Sequence, residues 1–464
     1  MAGFKRSGKK LNTFRASRRK LPEGVQRMQI SALADDGRGI AREQGKTVFV
    51  EGALPGETVS AVYVAAHKQF DEARTETVLV ASDARIDPPC AYFGDCGGCR
   101  LQHLDYDAQL HYKQDAIEAR LGRLPVAVSI DGIETIHSRP FHYRHRARFS
   151  VFADREHCLF GFKRHNSNRV IDIDGCLLVA ESINLLLPSL KRVVGQLQGR
   201  SALEEVSVVE DSDARMAVLV RCKRNLPEAD LQSLHRFCEE HSLLLSVLVQ
   251  QRDRTQVWCP DDEGEINLRY SVDGGDITLG YRAGDFTQVN PEVNEAMLQR
   301  ALEWLQLSSE DCVLDLFCGI GNFSLPLAKR AGSVTGIELG EGMVERARQN
   351  ARANGIDNAQ FIAADLMQSP LASTACFSAC NKVLLDPPRA GAEAVCRAIG
   401  GWGVQQLVYI SCNPSTFFRD AGILQQQGYG LQRIAIADMF PQTAHCELIS
   451  LFCKEQAGGK SATQ

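Results

Sequence analysis

The pattern of apolar and polar positions changes along the chain, and its first region has the short period of β-strands. Between about residues 24 and 81, β-rich runs such as KTVFVEGALPGETVSAVYVAAH flank a Pro-Gly turn, and a glycine-rich turn, DDGRGIAR, precedes them. Such runs bounded by turn residues are typical of short strands. This region therefore predicts a small β-barrel, a fold that often presents basic edges to RNA.

A longer, mixed region follows the barrel. Four apolar residues recur at the spacing of one helix face: Leu110, Ile117, Leu121 and Leu124. Such a stripe indicates a packed helix rather than a functional surface. From residue 140 to 285, strands and turns alternate with two helical stretches, which predicts an α+β central domain. One of its strands carries four basic residues that either face RNA or form the solvent side: Arg144, His145, Arg146 and Arg148.

From about residue 286 the order becomes strand, glycine turn and helix. The stretch DCVLDLFCGIGNFSLPLAKRAGSVTGIELG reads as an apolar strand, a G-x-G turn, an amphipathic helix and a second strand that ends at Glu338. Repeated units of this kind build a doubly wound, Rossmann-like α/β domain around a parallel sheet. The carboxyl ends of its strands are where a ligand is expected.

Composition is that of a soluble globular protein, with 44% hydrophobic and 23% charged residues among 464. No apolar run reaches the roughly 18 residues of a membrane span, and the basic N-terminus has no apolar core, so we expect a cytoplasmic protein without membrane association. Net charge is -5, yet residues 1–20 hold eight Lys or Arg and no acid. This arm is either a solubilising tail or a contact for RNA phosphates.

The glycine turn predicts a nucleotide site. Gly319 and Gly321 allow a sharp turn beneath a ligand, and Glu338 can accept ribose hydroxyls. A G-x-G turn suits NAD nearly as well, but the third glycine of the dinucleotide fingerprint is missing. That absence favours a ligand without phosphate, such as S-adenosylmethionine. Asp365 follows a third strand, where it either reaches an adenine amino group or caps a helix.

Three polar residues are predicted to converge at the rim of the sheet. Cys412 ends the strand LVYIS, Asp386 ends the preceding strand VLLD, and Glu447 stands just before the last strand. A thiol beside a methyl donor suits uracil, whose C5 is too poor a nucleophile to attack a sulfonium methyl. Addition of a thiolate to C6 makes C5 an enolate carbon, and a base must then remove the C5 proton. Cys412 and Glu447 fit these two roles.

Sixteen cysteines are many for a chain without an export signal. The stretch CAYFGDCGGC places Cys90, Cys96 and Cys99 within ten positions, and in a reducing compartment such a cluster indicates metal binding more often than disulfides. Its spacing permits zinc or an iron–sulfur cluster. Nine isolated cysteines are predicted to be small apolar residues in the interior: Cys158, Cys222, Cys238, Cys259, Cys312, Cys376, Cys380, Cys396 and Cys453.

Taken together, the motifs resemble the RNA uracil-C5 methyltransferase family, and within it the enzymes that act on 23S rRNA. The resemblance is carried by CAYFGDCGGC, FTQVN, DPPRAG, SCNP and HCEL and extends over nearly the whole chain. It implies a flexible arm at 1–20, an RNA-binding TRAM domain of OB type at 21–82 and a central iron–sulfur domain at 83–285. A class I methyltransferase domain follows at 286–464. It also implies 23S rRNA as partner, 5-methyluridine as product and a monomer.

The resemblance further implies a role for single residues. Cys412 becomes the nucleophile and Glu447 the base. Six residues match the family's S-adenosylmethionine pocket: Gln288, Phe317, Asn322, Glu338, Asp365 and Asp386. Four match the ligands of a [4Fe–4S] cluster, expected to be structural, to position RNA and to lie outside the methyl-transfer pocket: Cys90, Cys96, Cys99 and Cys176. This chain departs from the family at Leu177, where Pro is usual, and at Asp365, where Asn is frequent.

Three other functions fit the residues less well. The tRNA uracil-C5 enzyme resembles the C-terminal half but lacks the barrel and the cysteine cluster. Cytosine methyltransferases typically place Pro before the nucleophile, whereas Ser411 precedes Cys412 here. A non-catalytic RNA-binding redox sensor needs neither nucleophile nor base, and both are present.

Overall fold

A computed structural model describes residues 21–125, 132–154, 156–251, 254–259, 267–368, 377 and 379–455. The basic arm at 1–20 lies outside the described residues. The chain forms two compact units, one ending at Arg85 and the other beginning at Ile86. The limits predicted for the four domains remain predictions.

The N-terminal unit is a six-stranded mixed sheet with strand order β1-β5-β6-β4-β3-β2. Its strands are β1 (Val25–Gln29), β2 (Ala32–Leu33), β3 (Gly39–Glu43), β4 (Lys46–Glu51), β5 (Thr58–Ala66) and β6 (Phe70–Val80). Alternate residues such as Val48 and Val50 of β4 and Val59 and Ala61 of β5 are fully buried. Five of the strands contribute to a single core, as in a sheet that curls on itself, and this agrees with the predicted barrel.

The second unit begins with helix α1 (Tyr106–Leu121) and strand β7 (Glu134–Ile136). A seven-stranded sheet follows, in the order β10-β9-β8-β11-β12-β13-β14. Its elements are β8 (Arg146–Ala153), β9 (Cys158–Lys163), β10 (Val170–Asp172), α2 (Glu181–Gln196), β11 (Leu203–Glu210), β12 (Met216–Cys222), α3 (Glu228–Glu240), β13 (Leu243–Gln251) and β14 (Arg254–Trp258), with a 3-10 turn at Arg200–Ala202. The two predicted helices of this region are thus confirmed.

Two of the basic residues predicted near β8 make contacts inside the protein. Arg146 donates hydrogen bonds to the carbonyl oxygens of Ala283 and Asp285, at 3.0 and 2.6 Å. The His145 ring lies 2.9 Å from the Glu210 carboxylate. These contacts favour a structural role for Arg146 and His145 over direct exposure to RNA.

The C-terminal sheet has eight strands in the order β19-β18-β17-β20-β21-β23-β22-β7. The elements from residue 267 onward are β15 (Asn267–Val272), β16 (Ile277–Arg282), α4 (Pro291–Leu305), β17 (Cys312–Leu316), α5 (Ser324–Ala328), β18 (Ser333–Glu338), α6 (Glu341–Ala353), β19 (Ala359–Ala363), β20 (Lys382–Leu385), α7 (Glu393–Ala398), a 3-10 turn at Ile399–Gly401, β21 (Gln406–Ser411), α8 (Pro414–Gln426), β22 (Tyr429–Ala437) and β23 (Glu447–Lys454). β15 and β16 form a separate hairpin.

Strands β17 to β21 run parallel, as predicted, and β23 runs antiparallel to both β21 and β22. Neighbouring residues of β21 enter different cores, Leu407 on one face and Val408 on the other. Both faces of the sheet are therefore covered, which is why its strands are apolar throughout. At one edge of this C-terminal sheet β7 pairs with β22, so the edge strand comes from the predicted central domain.

Two helices differ from the sequence prediction. All five residues of α5 are buried, so the helix after the glycine turn is enclosed rather than amphipathic. In α1, Ile117 is buried as predicted, but Gln109 and Lys113 are buried with it. The Lys113 ammonium lies 2.5 Å from the Asp438 carboxylate, and both side chains are almost fully enclosed. None of the helices in the described part of the chain is both long and apolar enough to cross a membrane.

The isolated cysteines behave as predicted only in part. Cys222, Cys238 and Cys396 are buried, whereas Cys158, Cys259 and Cys453 are partly exposed. The prediction was wrong for Cys312 and Cys380, which form a disulfide with their Cα atoms 4.5 Å apart. They meet because Cys312 begins β17 and Cys380 precedes the neighbouring strand β20. Cys376 lies outside the described residues.

Candidate active site

The candidate site lies where the strand order of the sheet reverses. β17 has β18 on one side and β20 on the other, so later strands are added to the sheet on both sides of β17. In open α/β sheets a crevice forms at this switch point, outside the carboxyl ends of the strands. Four predicted site residues stand at or just after these ends: Phe317, Glu338, Asp386 and Cys412.

The turn after β17 has the conformation that its glycines predict. Gly319 and Gly321 have φ values of 56° and 98°, and Phe317 between the strand and the glycines also has a positive φ, 67°. Glu338 orients this turn, since its carboxylate accepts hydrogen bonds from the amides of Gly319, at 3.2 Å, and Leu339, at 2.8 Å. Glu338 ends β18 as predicted, and its carboxylate is held at the edge of the crevice.

Asp315 is a site residue that sequence reasoning missed. It lies in β17 beneath the glycine turn, fully buried, and one oxygen accepts the Ser324 hydroxyl at 2.5 Å. Its other oxygen, Oδ1, has no hydrogen-bond partner among the described residues. Burial raises the pKa of Asp315 to about 7, with Glu338 adding to the effect and Ser324 opposing it. The available signal was a single carboxylate within the apolar strand CVLDL.

Asn322 and Asp365 already have partners within the protein. The Asn322 amide exchanges hydrogen bonds with Asn294, at 3.0 and 3.1 Å, and accepts the Tyr270 hydroxyl at 3.1 Å. Asp365 accepts the Met367 amide at 2.9 Å, so it closes a turn after β19 rather than capping a helix. Gln288 is half-buried in the segment before α4.

The strand register brings Cys412 and Glu447 together. In the antiparallel pair of β21 and β23, Ser411 lies opposite Leu448. Cys412 directly follows β21 and Glu447 begins β23, so the two residues lie at the same end of this strand pair, and the thiol and the carboxylate interact electrostatically. Glu447 is the first residue of β23 rather than the residue before it. Its side chain is 6% exposed, whereas Cys412 is half-buried.

Electrostatics couple the thiol to two carboxylates. Burial raises the pKa of Cys412 most, the carboxylates of Glu447 and Asp386 raise it further, and the Arg389 guanidinium lowers it. Burial and, to a smaller extent, Asp386 raise the pKa of Glu447 to about 8, although the Arg389 guanidinium lowers it. Glu447 Oε2 has no hydrogen-bond partner in the described part of the chain. Arg389, within the quoted motif DPPRAG, thus supplies the positive charge of the site and was not assigned a role from sequence.

Asp386 connects this group of residues to the glycine turn. Its amide donates to the Leu316 carbonyl at 3.3 Å, which ties the end of β20 to the end of β17. Burial and the nearby Asp315 raise its pKa to about 7. Three crowded carboxyl groups, Asp315, Asp386 and Glu447, therefore border the crevice. Such crowding favours a cationic ligand such as a sulfonium and disfavours a pyrophosphate.

The four predicted ligand cysteines also lie near one another. Burial and the neighbouring thiols Cys90, Cys96 and Cys176 raise the pKa of Cys99 to about 12. The Gly98 amide donates to Cys96 Sγ at 3.4 Å. Although the thiols interact, no group of three or more His, Cys, Asp or Glu side chains among the described residues is arranged as a metal site.

A basic groove of about 530 Å³ runs along α8, beginning three residues after Cys412. Its lining includes the guanidinium groups of Arg120, Arg123 and Arg419 together with the Phe418 ring. Arg419 pairs with Asp420 at 2.8 Å, and Arg120 donates to the Ser415 hydroxyl at 3.3 Å. Arginines beside an aromatic ring form a surface suited to a nucleic-acid strand.

Comparison with known proteins identifies the family of the chain. The tRNA (Uracil-5-)-methyltransferase profile matches residues 105–455. The chain belongs to this uracil-C5 methyltransferase family. A TRAM domain matches residues 23–70, within the N-terminal sheet.

Relatives of this methyltransferase match along nearly the whole chain. The 23S rRNA (uracil(1939)-C(5))-methyltransferase RlmD of Hahella chejuensis is 40% identical over 444 residues, which cover 94% of this chain and 99% of that protein. The protein of the same name from Pseudomonas fluorescens is 41% identical over 446 residues, 96% of this chain and 95% of that protein. The resemblance predicted from the motifs is thereby confirmed.

A solved structure confirms the class I methyltransferase fold. The Pyrococcus abyssi tRNA (uracil-54, C5)-methyltransferase, in complex with S-adenosyl-L-homocysteine, superimposes with a TM-score of 0.71 over 92% of this chain and 100% of that chain. Its sequence identity is 24%, so the likeness concerns the fold.

Proposed function

We propose that this methyltransferase transfers a methyl group from S-adenosylmethionine to C5 of a uridine in 23S rRNA, giving 5-methyluridine. The observation that supports the proposal is that Cys412 and Glu447 lie at the same end of the β21–β23 pair and interact electrostatically. The choice of 23S rRNA is supported by relatives about 40% identical over nearly the full length. The basic groove along α8, the helix that follows Cys412 in sequence, supports RNA, because its charge complements a phosphate backbone.

The proposed reaction has two stages. The Cys412 thiolate adds to C6 of the uracil, and the C5=C6 electron pair moves to form an enolate. C5 then attacks the methyl carbon of S-adenosylmethionine, the bond from that carbon to the sulfonium sulfur breaks, and S-adenosylhomocysteine leaves as the neutral thioether. Glu447 then takes the proton from C5, the C5=C6 double bond re-forms, and the Cys412 thiolate leaves. Arg389 stabilises the negative charge on both catalytic groups.

We assign the methyl donor to the residues around the glycine turn. Glu338 would bind the ribose hydroxyls, and Asp386 would lie near the cationic end. Four other residues of the family pocket border the same crevice in this proposal: Gln288, Phe317, Asn322 and Asp365. The bonds that Asn322 and Asp365 make inside the protein mean that each binds the donor through its remaining hydrogen-bonding capacity or after rearrangement.

The proposal is tested with purified full-length protein and tritiated S-adenosylmethionine. We expect label at C5 of one uridine in a 23S rRNA transcript, identified by nuclease mapping, and none in tRNA transcripts. Label in tRNA alone would replace the proposed substrate, and the absence of label from both RNAs would overturn the activity.

The rate should depend on pH in the direction set by Glu447. A base with a pKa of about 8 is only about one tenth ionised at pH 7. We therefore expect single-turnover release of methylated RNA to rise at least ~10-fold between pH 6.5 and 8.5 and then to level off. Quenched-flow sampling across this range measures the rate. A flat profile would contradict the raised pKa of Glu447, and a falling profile would contradict its role as the proton acceptor.

We also propose that Cys90, Cys96, Cys99 and Cys176 bind a [4Fe–4S] cluster. The residues fit such a group because all four are thiols that interact with one another, and amides surround them. Besides the Gly98 amide at Cys96, the Leu178 and Val179 amides donate to Cys176. Amide donors of this kind stabilise ligating thiolates. A bound cluster would tie two segments that lie about 80 residues apart in sequence.

Cys96→Ala tests the ligand set. We expect the variant to lose iron and sulfide and to bind RNA more weakly, because the free energy of ligation is partly free energy of folding. Affinity for S-adenosylmethionine should change little, since the glycine turn and Glu338 belong to the loops after β17 and β18, whereas the four cysteines lie before α1 and after β10. Elemental analysis of anaerobically purified protein and calorimetry with both ligands measure these effects. Stoichiometric zinc in the wild type would contradict the iron assignment.

A further inference from the structure

The segment that leads into Glu447 is held by α1 and by the residues next to the cysteine cluster. We call residues 438–446 the base loop, because they connect β22 to Glu447 at the start of β23. Gln442, near the middle of the base loop, is 3% exposed and has a positive φ of 68°. A non-glycine residue holds this conformation only where its surroundings fix it.

Gln442 is fixed by a reciprocal pair of amide hydrogen bonds with Gln109 of α1. Gln109 Nε2 donates to Gln442 Oε1 at 3.0 Å, and the Gln442 backbone amide donates to Gln109 Oε1 at 3.2 Å. The Gln442 carbonyl accepts the amides of Arg100 and Leu101, at 2.9 and 3.1 Å. Gln109 Nε2 also bonds the Leu101 carbonyl at 3.1 Å. The base loop is thus joined to α1 and to the chain directly after Cys99.

The beginning of the base loop is held by the same helix. Asp438 is fully buried and bonds Lys113 at 2.5 Å and the Tyr106 hydroxyl at 2.9 Å. Its amide donates to the Ile136 carbonyl at 2.8 Å. Both the start and the middle of the loop are therefore anchored within nine residues of Glu447.

Few hydrogen bonds fix the side chain of Glu447 in the described part of the chain. Its Oε2 has no hydrogen-bond partner among the described residues, and the side chain is buried against the crevice. The Glu447 backbone is paired with Ala437 at the end of the β22–β23 ladder, and the base loop connects these two residues. A shift of the base loop would therefore act on the last pair of this ladder, which sets the direction of the Glu447 side chain. Displacing a catalytic group by about 1 Å can cost ~100-fold in rate.

We propose that Gln109 and Gln442 are positioning residues that aim Glu447 at the C5 proton. The inference rests on the proposed function and adds two residues that are buried within the protein. Losing either amide leaves buried hydrogen-bonding groups without a partner, and the base loop shifts to satisfy them. The defect should be confined to the step that Glu447 performs. Methyl transfer, which precedes that step, should proceed.

The test compares Gln109→Ala and Gln442→Asn with Gln114→Ala in the full-length protein. Asparagine tolerates a positive φ but is one methylene too short to reach Gln109. Gln114 is the matched control, because it lies on the same helix and bonds the Ile133 carbonyl and the Thr135 hydroxyl, at 3.0 and 2.9 Å, instead of the base loop. Each protein is given a 23S rRNA fragment and tritiated S-adenosylmethionine. Methyl incorporation, release from the covalent adduct and donor affinity are measured separately.

We expect Gln109→Ala and Gln442→Asn to slow release ~10- to 100-fold while labelled protein–RNA adduct accumulates on denaturing gels. Incorporation and donor affinity should stay within about twofold, the double variant should be no slower than the slower single variant, and Gln114→Ala should release at the wild-type rate. Equal slowing by Gln114→Ala, or loss of incorporation together with release, would overturn the positioning role. A wild-type protein that labels no RNA would overturn the proposed function as well.

Discussion

Cys412→Ser is expected to abolish methylation while S-adenosylmethionine binds with an affinity within about twofold of the wild type. A serine hydroxyl has a far higher pKa than a thiol, so it supplies almost no anion to add to C6. Without that addition C5 remains too poor a nucleophile to attack the sulfonium. Loss of a nucleophile typically costs at least ~10⁴-fold. Tritium incorporation into RNA gives the rate, and calorimetry gives the affinity.

Cys453→Ser is the matched control for this variant. Cys453 is a partly exposed thiol in β23, opposite Gln406 at the other end of the same strand pair. The same atom is exchanged on the same sheet, away from the crevice, so methylation should stay near the wild-type rate. A Cys412→Ser protein with normal turnover would remove Cys412 from the mechanism.

The strands that bear the site could be predicted because their apolar runs are sharply bounded. β18 ends at Glu338 as expected, since the apolar run stops at this carboxylate and Gly340 follows two residues later, whereas a strand buried on both faces is apolar nearly throughout. The same reasoning placed Asp386 and Cys412 at the crevice. The end of an apolar run indicates where a strand ends, and the carboxyl ends of parallel strands lie at the same edge of the sheet.

Several buried polar residues were not predicted, because no pattern in the sequence marks them. Gln109 and Lys113 lie on the same face of α1 as the buried Ile117. Polar side chains of these types are mostly exposed, but this face is covered by the base loop, with which both residues bond. Asp315 was missed because a lone carboxylate in an apolar strand carries no periodic signal. Such residues are stable only with partners that are distant in sequence, and one sequence does not reveal which partners those are.

The pairing of β7 with the C-terminal sheet also could not be predicted from the sequence. β7 has three residues, too few for a periodic pattern, and its partner β22 lies about 300 positions later. The register nevertheless sets Ile136 against Ala437, directly before Asp438. The region predicted as a separate central domain therefore takes part in holding the base loop, so changes near the cysteine cluster can reach Glu447 through hydrogen bonds already present in the fold.

Glu447→Gln should block the reaction after methyl transfer. The amide cannot accept the C5 proton, so the C5=C6 bond cannot re-form and the Cys412 thiolate is not expelled. We expect a covalent protein–RNA adduct, methylated at C5, to accumulate to nearly one per protein. Release should fall at least ~10³-fold, in the upper part of the range for an acid–base residue. Denaturing electrophoresis with tritiated methyl groups and labelled RNA detects the adduct.

Glu447→Asp provides the control, because it retains the carboxylate one methylene further from C5 and should restore part of the release rate. The Gln variant should also lose the rise of release rate with pH, because that rise comes from the Glu447 pKa of about 8. In the wild type this raised pKa favours folding at low pH, a contribution lost as pH rises through about 8. Glu447→Gln should therefore unfold at a higher temperature than wild type at pH 9. A variant that is folded and inactive but forms no adduct would show that Glu447 orients the uracil instead of removing its proton.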